Sequence, residues 1–330
     1  LSKQRILSGF RPTGKLHLGH LVGALENWVG LQDEYDCYWM VADWHAITTA
    51  YQDLPDLREL SRDMVAEWLA AGLDPERAVI FVQSQVPEHL ELYTLFGMFT
   101  PIARLERNPT YKEMIEQMPE KDLLTYGFLG YPVLQAADIL AYKAHKVPVG
   151  EDQVPHVEFS REVARKFKFY FKKDLFPEPE PLLTPSPRLL GLDNRKMSKS
   201  YGNVINLTDS EEETLAKVST MITDPAKVRR GDPGHPEICN VFSYHQIFSA
   251  PEQVKEIEAN CRSGSLGCVD CKKELATRIN ERLGDYRREY QEVQRDPDRV
   301  TDVIQQGVKA ARSMAGAVVA EMKEAVGIGA

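Results

Sequence analysis

Short apolar runs alternate with helical periods along the first half of the chain. Residues 5–9 (Arg5-Ile6-Leu7-Ser8-Gly9) read as a strand that ends in a Pro/Gly turn. From about 18 to 31, Leu18, Leu21, Val22, Leu25, Trp28 and Val29 recur at helical spacing and define one apolar face. Residues 37–42 form a second apolar run of strand length, and Leu57, Leu60, Met64, Val65, Trp68 and Leu69 mark a second helix. Residues 78–83 form a third strand run. Strand, helix, strand, helix, strand predicts a parallel sheet with helices on its faces, and near-continuous apolar strands suit a sheet covered on both sides. Residues 86–145 read as helical, 147–150 return to the sheet, and 153–167 form a further helix. After about residue 206 helical periods dominate and no strong strand run remains. A last helix from about 299 to 326 carries a small-residue face of Gly307, Ala310, Ala311 and Ala315. The expected organisation is an α/β domain over 1–206, an α-helical domain over 207–295, and a C-terminal helix over 296–330 that packs back on the body.

Length and composition agree. At 330 residues the chain is long enough for about two domains, and 43% hydrophobic content supplies a core that excludes a disordered or fibrous protein. No stretch reaches the ~18–20 apolar residues of a membrane span, and the first residues lack an apolar signal region, so the expectation is a cytoplasmic protein without membrane contact. The net charge of −9 argues at first sight against a nucleic acid partner. Net charge, however, describes the whole molecule, whereas a nucleic acid touches a stripe of it. Arg161, Arg165, Lys166, Lys168, Lys172 and Lys173 form one basic cluster; Lys227, Arg229 and Arg230 form a second. A third holds Lys272, Lys273, Arg278, Arg282, Arg287 and Arg288. Each could equally be a solvated helix face.

Five cysteines are unevenly placed. Cys37 sits in an apolar run and reads as an inert core thiol, whereas Cys239, Cys261, Cys268 and Cys271 fall close together with the spacing C-x21-C-x6-C-x2-C. Four thiolates can close a tetrahedral zinc site or a 4Fe-4S cluster, and a single close pair with a long gap suits the cluster at least as well as zinc.

Two short motifs carry the chemistry. Gly9-x4-Gly14-Lys15 imitates a phosphate loop, but Leu16 stands where the magnesium-binding hydroxyl belongs, so that reading fails. What remains is His17-Leu18-Gly19-His20 at the start of a helix, where free N–H groups and the positive dipole end favour phosphate and Gly19 lets a nucleotide approach. The second is Arg195-Lys196-Met197-Ser198-Lys199-Ser200, two lysines flanking small hydroxyls between Gly191 and Gly202. Such a loop can neutralise a leaving pyrophosphate.

Together, in this order, the two motifs resemble the HIGH and KMSKS signatures of class I aminoacyl-tRNA synthetases. That resemblance implies a Rossmann-like catalytic domain and a helical anticodon-binding domain. Ser8–Gly14 (Ser-Gly-Phe-Arg-Pro-Thr-Gly), Asp43-Trp44-His45-Ala46-Ile47-Thr48, the segment from Leu134 to Leu140 around Asp138, and that from Val147 to Gln153 are similar to the bacterial tryptophanyl-tRNA synthetases. The family resemblance implies that Asp138 accepts the indole N–H, which fits a side chain offering one donor and no acceptor. It implies that Gln153 and Tyr131 hold the polar end of tryptophan, with His45 near the reacting groups and Gln135 in the pocket wall. Arg11, Pro12, Thr13, Gly19, His20, Gly150, Glu151, Asp152, Leu189, Lys196, Met197, Ser198, Lys199 and Ser200 would meet ATP. His17, His20, Lys196 and Lys199 would contact the transition state, with Mg²⁺ on the phosphates. Arg11 departs from the glutamine common in the family, and Gln135 stands where an apolar residue is frequent. A subset of these enzymes carries a 4Fe-4S cluster with similar cysteine spacing, one residue longer in the first gap. This implies the cluster at Cys239, Cys261, Cys268 and Cys271, with zinc as the alternative. The family further implies a homodimer and tRNA(Trp) as partner.

Two other classes fit less of the chain. A free-standing nucleotidyltransferase could use the histidine turn without tRNA, and an RNA-binding regulator could carry an inactive synthetase domain. The helical domain and the Lys196–Ser200 loop speak against the first, and the intact signature histidines and lysines against the second. Amino-acid-dependent ATP–pyrophosphate exchange separates all three.

Overall fold

The computed structural model describes residues 3–117, 119–183, 189–197 and 201–329. In chain order the elements begin with β1 (Arg5–Phe10) and α1 (Leu18–His20), which continues through a π-helical turn (Leu21–Leu25) into α2 (Glu26–Glu34). β2 (Asp36–Val41), α3 (Asp43–Ala50), α4 (Leu57–Ala70) and β3 (Ala78–Val82) follow. Next come α5 (Glu88–Met98), α6 (Ile102–Glu106), α7 (Pro109–Gln117), α8 (Tyr126–Ala141), β4 (Lys146–Val149), α9 (Val154–Phe171) and β5 (Glu180–Leu183). The remainder is α10 (Glu211–Thr220), α11 (Asn240–Phe248), α12 (Pro251–Arg262), α13 (Cys268–Arg295) and α14 (Pro297–Val326).

The chain divides into two units. The first comprises Leu1–Gly14, Asn27–Thr184 and Asp296–Ala330; the second comprises Lys15–Glu26 and Pro185–Arg295. The sequence placed its boundary at 206, whereas the contacts divide the chain at 184 and move residues 15–26 to the second unit. Backbone pairing explains this: the Leu18 N–H donates to Ile205 O at 3.0 Å and the Leu207 N–H to Leu16 O at 2.9 Å.

All five strands of the first unit run parallel in the order β3-β2-β1-β4-β5. β1 pairs with β2 from Arg5↔Asp36 to Phe10↔Val41, and β2 with β3 from Cys37↔Ala78 to Val41↔Val82. Alternation along β2 sends Trp39 to one face and Tyr38 and Met40 to the other, and all three are buried. On the first face Trp39 stacks on Trp28 at 4.5 Å, and Trp28 on Phe10 at 4.6 Å. On the second, Tyr38, Met40 and Phe81 join residues of α8, α9 and α14 in one core. Cys37 is fully buried and burial pushes its thiol up to about 12, as expected of an inert core cysteine.

The α14 helix lies directly on β3. A Cβ at Gly307 would stand 1.7 Å from the Ile80 carbonyl oxygen, so glycine is what permits the approach. Ala311 and Ala315 extend this buried stripe, but Ala310 faces solvent, because it lies about 100° around the helix from Ala311. β5, absent from the sequence reading, is a short, half-exposed edge strand containing Pro181. In the second unit α10 and α11 pack on α13 around Val218, Tyr244, Leu275, Ile279 and Leu283. No helix of the described residues is long and apolar enough to cross a membrane.

Candidate active site

In the first unit β1 passes to β2 on one side while β4 lies on the other, so the sheet order reverses between β1 and β4. In open parallel sheets the crevice beyond the strand C-termini at that point is where ligands bind. The turns leaving those two termini are the ones the sequence singled out. After β1 come Arg11, Pro12 and Thr13; the Thr13 N–H donates to Arg11 O at 2.8 Å, and Gly14 follows with φ of 110°. Arg11 is exposed and its guanidinium reaches Thr49 Oγ1 at 3.4 Å. After β4 come Gly150, Glu151, Asp152 and Gln153, the last three in a 3-10 turn. Ser8 on β1 ties the two strands by donating to the Pro148 carbonyl at 2.9 Å. Gln153 donates to Asp152 at 3.0 Å, while Gly150, Glu151 and Asp152 are exposed. A Cβ at Gly150 would stand 2.8 Å from the Asp152 carboxylate.

Helix α8 leads into β4 and carries Tyr131, Gln135 and Asp138 on one face at spacings of four and three. Asp138 is 1% exposed yet remains a carboxylate. Burial alone would push it up, but hydrogen bonds from His45 and His89 outweigh that and hold it at about 2. His45 Nε2 lies 2.7 Å from Oδ2, and His89 Nδ1 lies 2.5 Å from Oδ1. The Gln83 amide adds a third bond, to Oδ1 at 2.7 Å. Gln135 is half-buried between Tyr131 and Asp138. The Tyr131 hydroxyl lies 3.2 Å from Nε2 of buried His156, whose Nδ1 faces the Asn108 amide at 3.3 Å. An amide donating to Nδ1 leaves the ring proton on Nε2, directed at Tyr131. Burial holds His156 down at about 4, so the ring is neutral near pH 7.

The second unit holds the other motifs. His17 caps the helix opened by α1, and its backbone N–H donates to His20 Nδ1 at 3.1 Å. That bond places the His20 ring proton on Nε2, the form that donates to phosphate oxygen. The two imidazoles lie 3.8 Å apart. A Cβ at Gly19 would come within 3.1 Å of the His17 ring and 3.2 Å of Met197 Sδ, so the structure brings the histidine turn and the second motif into contact. The base of the second motif is held by hydrogen bonds. The Gly191 N–H donates to Arg195 O at 2.7 Å, and Asn203 bonds both Asp193 (2.7 Å) and Lys196 O (3.2 Å). Helix α11 adds Asn240 on Gly191 O and Tyr244 on Leu190 O. Leu189 and Met197 are buried, and Lys196 is exposed. Ser198, Lys199 and Ser200 lie outside the described residues.

The four clustered cysteines come from three helices: Cys239 caps α11, Cys261 lies in the last turn of α12, and Cys268 and Cys271 open α13. All four are free and partly exposed. Burial first, then the nearness of the other three, pushes Cys271 up to about 12, and burial raises Cys261 against the opposing charge of Lys227. Among the described residues no group of three or more His, Cys, Asp or Glu side chains is closed to metal-holding geometry. The 4Fe-4S cluster expected from the sequence is therefore not supported by a formed site among the described residues.

Sequence reasoning missed Gln83, His89 and Tyr142 around Asp138, and Asn108 and His156 behind Tyr131. The basic clusters that the sequence offered as nucleic-acid contacts or solvated helix faces are partly engaged within the chain. Lys227 is buried and donates to Asp232 O at 2.8 Å, while Arg278, Arg282 and Arg288 pair with Glu281, Glu26 and Asp285. In the α9 cluster Arg161 and Arg165 pair with Glu178, and Lys168 with Asp174.

A parallel sheet with exposed turns at the reversal point, and a histidine turn seated against a Lys-Met loop, are features of the amino-acid-activating class I synthetases. The family model "tRNA synthetases class I (W and Y)" matches residues 2–284. The tryptophan–tRNA ligase of Thermotoga maritima is 54% identical over 98% of this chain and 99% of its own length; that of Aquifex aeolicus is 43% identical over 98% and 100%. The crystal structure of tryptophanyl-tRNA synthetase from Campylobacter jejuni, complexed with ADP and tryptophan, superposes with a TM-score of 0.89 at 32% identity, covering 98% of this chain and all of that one. The chain belongs to the class I tRNA synthetase family, among its tryptophan–tRNA ligases.

Proposed function

We propose that the chain joins L-tryptophan to tRNA(Trp) in two steps, with the residues described above in stated roles. In the first, a tryptophan carboxylate oxygen bonds to the α-phosphorus of ATP, and the bond to the bridging oxygen breaks to release pyrophosphate. In the second, a hydroxyl of the terminal tRNA ribose attacks the acyl carbon and AMP leaves. The observation that carries the substrate reading is Asp138, a buried carboxylate held ionised on the α8 face. Indole offers a single N–H donor and asks for a single acceptor, whereas the phenol of tyrosine would also require a donor for its oxygen.

Tyr131 and Gln153 hold the polar end of tryptophan, His45 contacts the substrate near the reacting groups, and Gln135 lines the pocket. Arg11, Pro12, Thr13, Gly150, Glu151 and Asp152 bind ATP, as do Gly19, Leu189, Met197, Ser198 and Ser200. His17, His20, Lys196 and Lys199 stabilise charge on the reacting phosphates, so catalysis is positioning plus electrostatics without a protein nucleophile. Mg²⁺ arrives with ATP and neutralises phosphate charge. The helical part over 207–295 serves as the anticodon-binding domain. Exposed Met98, Ile102, Leu124 and Tyr126 support a homodimer across which tRNA lies.

Cys239, Cys261, Cys268 and Cys271 would hold a 4Fe-4S cluster, or a structural Zn²⁺, through their sulfurs. Such a group would cross-link α11, α12 and α13. Iron with a broad visible absorption shoulder after anaerobic purification supports the cluster, and stoichiometric zinc without iron reverses the assignment.

ATP–pyrophosphate exchange tests the whole reading. Exchange should depend on tryptophan; exchange driven by tyrosine alone overturns the substrate, and none with any amino acid overturns the activity.

A further inference from the structure

We infer that His89, held by Tyr142, is a positioning residue for substrate selection, which leaves Asp138 one acceptor site, directed to the indole N–H. The inference rests on the reading of Asp138 above and deepens it.

An ionised carboxylate has about four lone-pair sites. Three are taken by donors from three separate elements. Gln83, in the 3-10 turn after β3, and His89, on α5, both donate to Oδ1, and His45, on α3, donates to Oδ2. Among the described residues no fourth donor reaches the carboxylate, which leaves one site, on Oδ2. A substrate with one donor and no acceptor matches that site, and a ring atom that cannot donate does not.

The Oδ1 side is set from behind. His89 is fully buried, and its Nε2 lies 2.6 Å from the hydroxyl of Tyr142, itself fully buried. Burial pushes the Tyr142 phenol well above its ordinary range, so the hydroxyl keeps its hydrogen and donates it to Nε2. An Nε2 that accepts obliges His89 to carry its proton on Nδ1, and that proton goes to Asp138. Tyr142 therefore fixes the His89 tautomer, and His89 fixes which carboxylate oxygen remains open. Tyr38 and Phe81 pack at a tilt against the Tyr142 ring, with centroids at 4.7 and 5.3 Å, and hold it in place. None of these residues needs to touch the reacting atoms.

The test compares tryptophan with β-(3-benzothienyl)alanine, in which sulfur replaces the ring N–H, in ATP–pyrophosphate exchange. In the full-length protein, His89→Leu should lower the preference for tryptophan about tenfold or more, through KM for tryptophan, with kcat within about twofold. His89→Gln, which can donate to Asp138 and accept from Tyr142, should restore most of the preference. Tyr142→Phe should lower it about threefold. Equal loss toward both substrates in His89→Leu means that His89 is only structural and overturns the inference, as does an unchanged preference. Should His89→Leu not fold, an unchanged preference in Tyr142→Phe overturns it as well. Asp138→Ala separates the premise: if tryptophan is still preferred there, Asp138 does not read the indole and the fault lies with the substrate reading.

Discussion

His156 shows how one buried side chain sets a pH dependence. Its ring faces Tyr131 and Asn108, and the nearby carboxylate of Asp152 opposes the effect of burial. Burial dominates and holds the folded ring at about 4, against an unfolded value of about 6.5. Between those values the unfolded chain binds a proton that the folded chain refuses. This stabilisation is therefore complete above about pH 6.5 and is lost as pH falls toward 4. From pH 7 to 4.5 the loss from this group is about 2–3 kcal/mol. His156→Gln keeps a hydrogen-bonding side chain without the titration, so urea unfolding should show the wild type losing that much more than the variant. Equal losses would remove His156 from the pH profile. In the sequence, Tyr131 and Asp138 were legible because their segments resemble a family. His156, His89, Gln83 and Tyr142 were not, since they lie 4 to 55 positions from Asp138 and sit in apolar periods like any core residue. Only folding brings their polar atoms together.

At the level of elements, β1 to β3 and the long helices follow directly from apolar runs and periods, because each buries one continuous face. β5 escaped notice because its burial is partial and its segment holds Pro181, which an edge strand tolerates and a central strand does not. The small-residue stripe of α14 was legible as a packing face, but which residue carries the close approach was not. Gly307 and Gly316 test that distinction within one helix. A Cβ at 307 collides with the Ile80 backbone, whereas at 316 it meets nothing within 4 Å. Gly307→Ala must push α14 off β3 and should cost about 1–3 kcal/mol. Gly316→Ala should stabilise by about 0.5–1 kcal/mol through helix propensity alone. Denaturant midpoints should move in opposite directions; a neutral Gly307→Ala would mean that the α14–β3 contact yields without cost.

For the molecule as a whole, a net charge of −9 coexists with a polyanionic partner. Part of the basic stripes seen in the sequence is not freely available to it, because about half of their side chains are already ion-paired within the chain. Arg282, for example, already pairs with Glu26 at 2.7 Å, and drawing it to a phosphate would sacrifice that bond. Lys273, by contrast, has no ion pair among the described residues and opens the same helix, so it can meet a phosphate without such a loss. Each cation neutralising a phosphate releases counterions and steepens the dependence of affinity on salt by about one logarithmic unit or somewhat less. Binding of tRNA should therefore be only shallowly salt-dependent, with a slope that reflects a handful of contacts. Lys273→Ala should weaken binding and reduce the slope by about one, while Arg282→Ala should leave the slope unchanged. Tryptophan-dependent exchange without tRNA should be the same in both variants. A slope unchanged by Lys273→Ala would place the RNA on a surface other than the start of α13.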